Sequence, residues 1–150
     1  MTEVNGLRLA FRGLIAGMAA GWVWLATAML GLLAIGDDPL SPLRIIGASA
    51  PHDGMVLAAA VVQLAAGGIG LGFAYFFGRY FTVRATLLAA AICFALLGWL
   101  AGADSRAVGI SWADQLVFGV AALTYGCMLG AATPLRGEVL RQPSEGSAST

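Results

Sequence analysis

The sequence predicts an all-α membrane protein, a four-transmembrane-helix bundle, and three observations carry that expectation. Apolar residues make up 59% of the 150-residue chain and charged residues 11%, where a soluble domain is about one quarter charged. The charges are segregated and leave four uncharged runs, each near or above the roughly 18 residues at which an apolar stretch reads as a membrane span. Every run also carries small residues at intervals of three or four. That spacing lets helix backbones approach closely in lipid, where no hydrophobic force draws helices together.

The spans fall at about residues 13–35, 55–77, 85–102 and 115–132, so that residues 1–132 form the membrane domain. A short polar start with Glu3, Arg8 and Arg12 precedes the first span. That run is longer than the 7–15 apolar residues of a signal peptide and reads as an uncleaved helix. Gly13, Gly17 and Gly21 clear one face of it, for a neighbour in the same bundle or for a second copy of the chain. Trp22 and Trp24 lie near its middle rather than at the interface where Trp usually sits. They are read as bulk against lipid or another helix, or as contacts to a buried ligand ring.

Residues 36–54 form the longest loop. Ser41 followed by Pro42 signals the start of a short helix lying in the headgroup plane. The loop also holds Asp37, Asp38, His52 and Asp53, read as a solvated acidic loop or as ligands for a divalent ion. One His without tight spacing is a weak metal signal, and no metal site is expected.

In the second span Gln63, Gly67, Leu71, Ala74 and Gly78 share a face, and Gly68 and Gly72 form a second small stripe. Gln63 is its only strongly polar side chain, and an amide in hydrocarbon needs a hydrogen-bond partner, expected on another helix. The aromatic residues from Phe73 to Phe81 mark an interface belt before Arg79 and Arg84. The third span offers Ala91, Ala95, Gly98 and Gly102 as its small face, and the fourth Gly119, Ala122, Gly126 and Gly130. Between them lies a polar loop with Asp104, Arg106 and Asp114, anchored by Trp112. Residues 133–150 have too little apolar surface to stay ordered and read as a tail.

Arg8, Arg12, Arg79, Arg84, Arg136 and Arg141 fall on one side of this topology, and only Arg44 and Arg106 on the other. The positive-inside rule then puts both termini in the cytoplasm, with the bacterial inner membrane as the expected location. Gln63 to Gly78 also aligns with Gln115 to Gly130, matching Gln63 to Gln115, Phe73 to Tyr125 and Gly78 to Gly130. Two readings stand side by side. One is a pair of parallel two-helix repeats related by an axis along the membrane normal. The other is chance similarity between glycine-rich helices.

Absences narrow the function. None of the four runs contains Asp, Glu, Lys, Arg or His, the groups that proton relays, voltage sensors and ion-coupled carriers place inside the membrane. The single His rules out a bis-His haem within the chain. No phosphate loop, nucleophile motif or pair of carboxylates at membrane depth occurs, so no enzyme activity and no cofactor are expected. No basic block exists to hold nucleic acid. Cys93 and Cys127 read as small apolar residues.

RGLIAGMAAG in the first helix, PLRIIGA after it and QLVFGVAALTYGCMLG near the end resemble a loose group of small bacterial four-span integral membrane proteins. The resemblance implies the four-span fold and no activity. It also implies His at the positions held here by Gln63 and Gln115, a departure from the group.

Three functions are compatible with these residues. The first is a non-catalytic accessory or assembly subunit of a larger membrane complex, or a homo-oligomer. The second is a carrier or pore for a small neutral or lipidic molecule lined by Gln63 and Gln115. The third is a quinone-handling redox subunit using Trp22, Trp24, Tyr125 and the acidic loop. The expected partners are the lipid bilayer and a membrane protein or a second copy.

Overall fold

The computed structural model describes residues 3–47, 54–78, 80–106 and 111–135. They form five α-helices in chain order: α1 (Glu3–Ile35), α2 (Ser41–Gly47), α3 (Gly54–Phe73), α4 (Arg84–Arg106) and α5 (Trp112–Ala132). No strand occurs among the described residues. All except α2 are long and apolar enough to cross a membrane. The proposed ion ligands His52 and Asp53, Arg79, and residues 136–150 of the expected tail lie outside the described residues.

α1 begins well before the first uncharged run and carries Arg8 and Arg12 on its opening turns. Its 33 residues span roughly 50 Å, so it projects beyond a hydrocarbon layer about 30 Å thick. It ends at Gly36, whose φ of 84° is the left-handed conformation that favours glycine. Asp37 N–H donates to Leu32 O at 2.9 Å and Gly36 N–H to Leu33 O at 3.2 Å. This Schellman pair caps the helix and reverses the chain.

The start of α2 is organised by Asp38, whose Oδ1 accepts from Leu40 N–H at 3.1 Å. Arg44 of α2 pairs with Asp38 at 2.8 Å. α5 opens with a capping box in which Ser111 and Asp114 exchange side-chain and backbone bonds. It therefore starts at Trp112, three residues earlier than the uncharged run indicates, and Trp112 belongs to the helix rather than to the loop.

α1 and α5 form the middle of the bundle. α3 packs on α1, α5 packs on α1, and α4 packs on α5. All three pairs are antiparallel, as the glycine contacts establish. A Cβ on Gly17 would lie 2.8 Å from Gly70 Cα, and one on Gly21 2.6 Å from Ala66 Cβ. In the second pair, a Cβ on Gly126 would lie 2.7 Å from Ile92 Cα, and one on Gly130 2.8 Å from Leu88 Cα. Between α1 and α5, Gly31 meets Val117, and Thr124 Oγ1 donates to Thr27 Oγ1 at 3.3 Å. The core is correspondingly made of small residues, including Ala16, Ala20, Ala66 and Ala91, with Leu87, Leu129 and Phe73 filling between them.

The contact face of α3 differs from the one its spacing suggests. Ala66, Gly70 and Ala74 are buried against α1 together with Gly67, while Leu71 is 39% exposed. Gly68 and Gly72, read as a packing stripe, face open space, as does Gly98 of α4. The reason is rotational: on a helix, positions two residues from Ala66 and Gly70 point away from the face those residues occupy. Gly102 belongs to the final turn of α4, and its surroundings lie outside the described residues. α3 closes in a π-helical turn, Ala74–Gly78, which buries both Ala74 and Gly78.

Candidate functional site

α4 is the peripheral helix. Only 11% of its apolar stretch is buried within the bundle, against 28% in α1 and 33% in α3 and α5. It touches α3 near one end, where Phe73 and Phe94 bring their ring centroids to 6.1 Å. Away from that contact the two helices separate and leave a cavity of about 380 Å³.

The cavity wall is built from four helices. Gly21 and Trp24 of α1 form its back, Ala65, Ala66 and Ile69 of α3 one side, and Phe94, Gly98 and Trp99 of α4 the other. Phe118, Ala122 and Tyr125 of α5 complete it. Trp24 stacks on Phe118 with centroids 6.2 Å apart and planes 24° apart. Trp99 lies flat against Gly119, where a Cβ would come within 3.2 Å of the indole. Gly119 thus makes room for a cavity wall rather than for a helix backbone. Tyr125 is buried and donates its hydroxyl to Ala66 O at 3.1 Å, tying α5 to α3. Its hydroxyl is therefore already engaged.

Gln63 lies in the α1–α3 seam behind Gly21 and does not line the cavity. Its side chain is 7% exposed, and neither amide atom has a hydrogen-bond partner. A Cβ on Gly21 would lie 2.9 Å from Gln63 Oε1, so the amide rests against one of the residues that form the cavity wall. An unpaired buried amide costs about 1–3 kcal/mol. The hydrogen bond expected from Gln63 to a neighbouring helix is not made.

The remaining candidates separate. Gln115 is partly buried in the first turn of α5, where its backbone N–H donates to Ser111 O. It is not bonded to Gln63 and does not line the cavity. Trp22 is 57% exposed and points out of the bundle. Trp24 and Tyr125 do meet in the cavity wall. Cys93 and Cys127 are free thiols.

A second apolar groove of about 500 Å³ follows the α1–α5 seam between Leu30, Gly31, Leu116 and Val120, with Trp112 at its end. Its Thr27 hydroxyl is bonded back to Val23 O at 2.8 Å.

Asp37 and Asp114 meet where the end of α1 reaches the start of α5. Hydrogen bonding to the Asp114 side chain, followed by its charge, raises the Asp37 pKa above the ordinary 3.8. Asp114 Oδ1 is enclosed and has no donor; a proton on Asp37 supplies one.

Comparison with protein families, with curated proteins and with solved structures gives no match. The functional reading therefore rests on the geometry above.

Proposed function

We propose that the chain is an integral, multi-pass, non-catalytic membrane protein that holds a small neutral lipidic molecule in the cavity between α3 and α4. The observation that carries this reading is the separation of those two helices. It leaves an aromatic-lined apolar space in a bundle whose α1–α3 and α4–α5 pairs close on glycine. Such concave sites, mostly apolar with a few polar groups, are where small molecules bind. Because the space lies between two helices long and apolar enough to cross a membrane, its entrance faces lipid. The carrier expected from the sequence is retained with one change: neither Gln63 nor Gln115 lines the space.

Filling the cavity tests this. Gly98 lines it and has nothing within 4 Å of its Cβ position, so Gly98→Leu occupies the space without a clash. Solvent extracts of the wild type purified in mild detergent should contain a hydrophobic molecule in near-equal ratio to protein, and G98L extracts should not. Identical extracts from both would overturn the reading.

A second reading, an accessory subunit of a larger membrane complex or a homo-oligomer, is favoured by the outer face of α4. Cys93, Leu97 and Leu100 are exposed there. Mass spectrometry in mild detergent showing a clean monomer without companions would remove it.

The orientation proposed is both termini in the cytoplasm of a bacterial cell, across the inner membrane. It is supported by Arg8, Arg12 and Arg84 standing at one end of the bundle and Arg44 and Arg106 at the other. The two antiparallel pairs, α1 with α3 and α4 with α5, each close on small residues, which supports two copies of one unit.

A further inference from the structure

We infer that the exposed face of α1 near its start holds an anionic phospholipid, with the headgroup phosphate met by Arg8 and Arg12 and an acyl chain laid along an apolar ridge that ends at Trp22. The inference is independent of the cavity between α3 and α4.

The two arginines stand at the depth of lipid phosphates. From Arg12 to Ile35 α1 rises about 35 Å, which with modest tilt fits a hydrocarbon layer about 30 Å thick. Arg12 therefore lies at one boundary of that layer. Arg8, one turn farther out, lies about 6 Å beyond it, within the polar layer that adds about 5–7 Å on each side. Arg8 is exposed and Arg12 is partly buried. Residues four apart on a helix are neighbours, so one phosphate can meet both guanidiniums. Recognition is by these side chains and not by the free N–H groups of the first turn.

Beside them runs the ridge. Leu7, Phe11, Ile15, Met18 and Trp22 follow at intervals of four, four, three and four and share one face. All five are exposed, while Leu9, Gly13, Ala16 and Ala20 are buried in the bundle. Trp22 is ten residues from Arg12, hence about 15 Å deeper. That is half the hydrocarbon thickness, the depth at which an acyl chain ends. An exposed indole at mid-depth, away from the interface where Trp usually sits, thereby gains a role as the apolar stop for the chain.

Charge selects an anionic lipid over a zwitterionic one. Asp37, Asp38, Asp104 and Asp114 belong to the other end of the bundle. Glu3 is five residues from Arg8 and does not share its row. Arg84, at the same end as Arg8 and Arg12, is engaged by the carbonyls that close α5. Guanidinium groups match a phosphate bidentately. A glycerol headgroup adds no charge beside them, whereas the choline or ethanolamine cation of a zwitterionic lipid is brought against two like charges.

The test uses the full chain in phosphatidylcholine nanodiscs containing a small fraction of lipid brominated near the end of its acyl chains, either phosphatidylglycerol or phosphatidylcholine. Each protein is measured with and without Trp22→Phe, an exposed position. The difference isolates Trp22 from Trp24, Trp99 and Trp112. Brominated phosphatidylglycerol should quench Trp22 more strongly than brominated phosphatidylcholine at the same mole fraction. Arg8→Gln should lower that preference about fivefold, the worth of one cation near an anionic headgroup. Arg8→Gln combined with Arg12→Gln should bring the two lipids level. Arg44→Gln, which removes a charge from the other end of the bundle, should leave the preference as in wild type. Equal quenching of Trp22 by the two lipids in wild type would overturn the inference. So would a preference that survives the double replacement, or one that Arg44→Gln lowers as much as Arg8→Gln.

Discussion

Gly17 and Gly70 bring the backbones of α1 and α3 into direct contact: a Cβ on Gly70 would lie 2.5 Å from Gly17 Cα. No side chain fits there. Gly17→Val and Gly70→Val should each destabilise the protein by about 1–3 kcal/mol, the cost of overpacking a closed interface. Gly68→Ala and Gly72→Ala, whose Cβ positions are open, should stay within about 0.5 kcal/mol of wild type. Unfolding in detergent, followed by circular dichroism, separates the two groups.

Tyr125 spans from α5 to the backbone of α3 at Ala66. Interhelical bonds of this kind are worth about 0.6 kcal/mol on average and up to about 1.7. Tyr125→Phe should cost an amount in that range in the same unfolding measurement. A loss of several kcal/mol would mean that the hydroxyl does more than tie the helices.

Arg84 opens α4 and closes α5. Its Nη1 donates to Gly130 O at 3.3 Å, Ala131 O at 3.0 Å and Thr133 O at 2.5 Å. A cation at a helix C-terminus meets the negative end of the macrodipole and the unpaired carbonyls together. Arg84→Ala should cost about 1–2 kcal/mol, and amide exchange should speed up first in the last turn of α5. Uniform exchange along α5 would argue against the cap.

The Asp37 and Asp114 pair makes one end of the bundle sensitive to pH. The Asp37 pKa is raised in the folded protein, so folding favours its protonated form. The contact between the end of α1 and the start of α5 is then strongest below the ordinary 3.8 and weakens as pH rises through the raised value. The melting temperature of wild type relative to Asp37→Asn should therefore fall as pH rises, because Asn cannot ionise. A constant difference between the two proteins across that range would contradict the pairing.

Much of the fold is legible in the sequence because a membrane span is written in what it excludes. Four uncharged stretches predict the four long helices, and Gly17 and Gly21 announce the α1 seam by spacing alone. Register is harder to read. Gly70 is the glycine that α1 meets, yet it hides among Gly67, Gly68 and Gly72. Only the repeat of Ala66, Gly70 and Ala74 at intervals of four marks it. Ser111 and Asp114, a Ser-x-x-Asp capping pattern, signal that α5 starts at Trp112.

The cavity itself is not legible. Its existence depends on α4 packing against α5 and leaving α3 over most of its length, a choice between helix pairs that each look suitable. Gln63 stands out in the sequence as the lone amide of its span. That it has no partner is visible only once every neighbour is placed. Gln115 looks equivalent in alignment, but α5 begins only three residues before it, while α3 begins nine residues before Gln63, so the two enter their helices at different depths.

The account of the α1–α3 seam turns on Gln63 being buried there without a partner, and the most direct measurement is the stability of Gln63→Leu in detergent stripped of lipid. Leucine removes the buried amide at similar volume, so the variant should be more stable than wild type by about 1–3 kcal/mol. A Q63L protein less stable than wild type by a similar margin would mean that the amide already has its partner within the bundle.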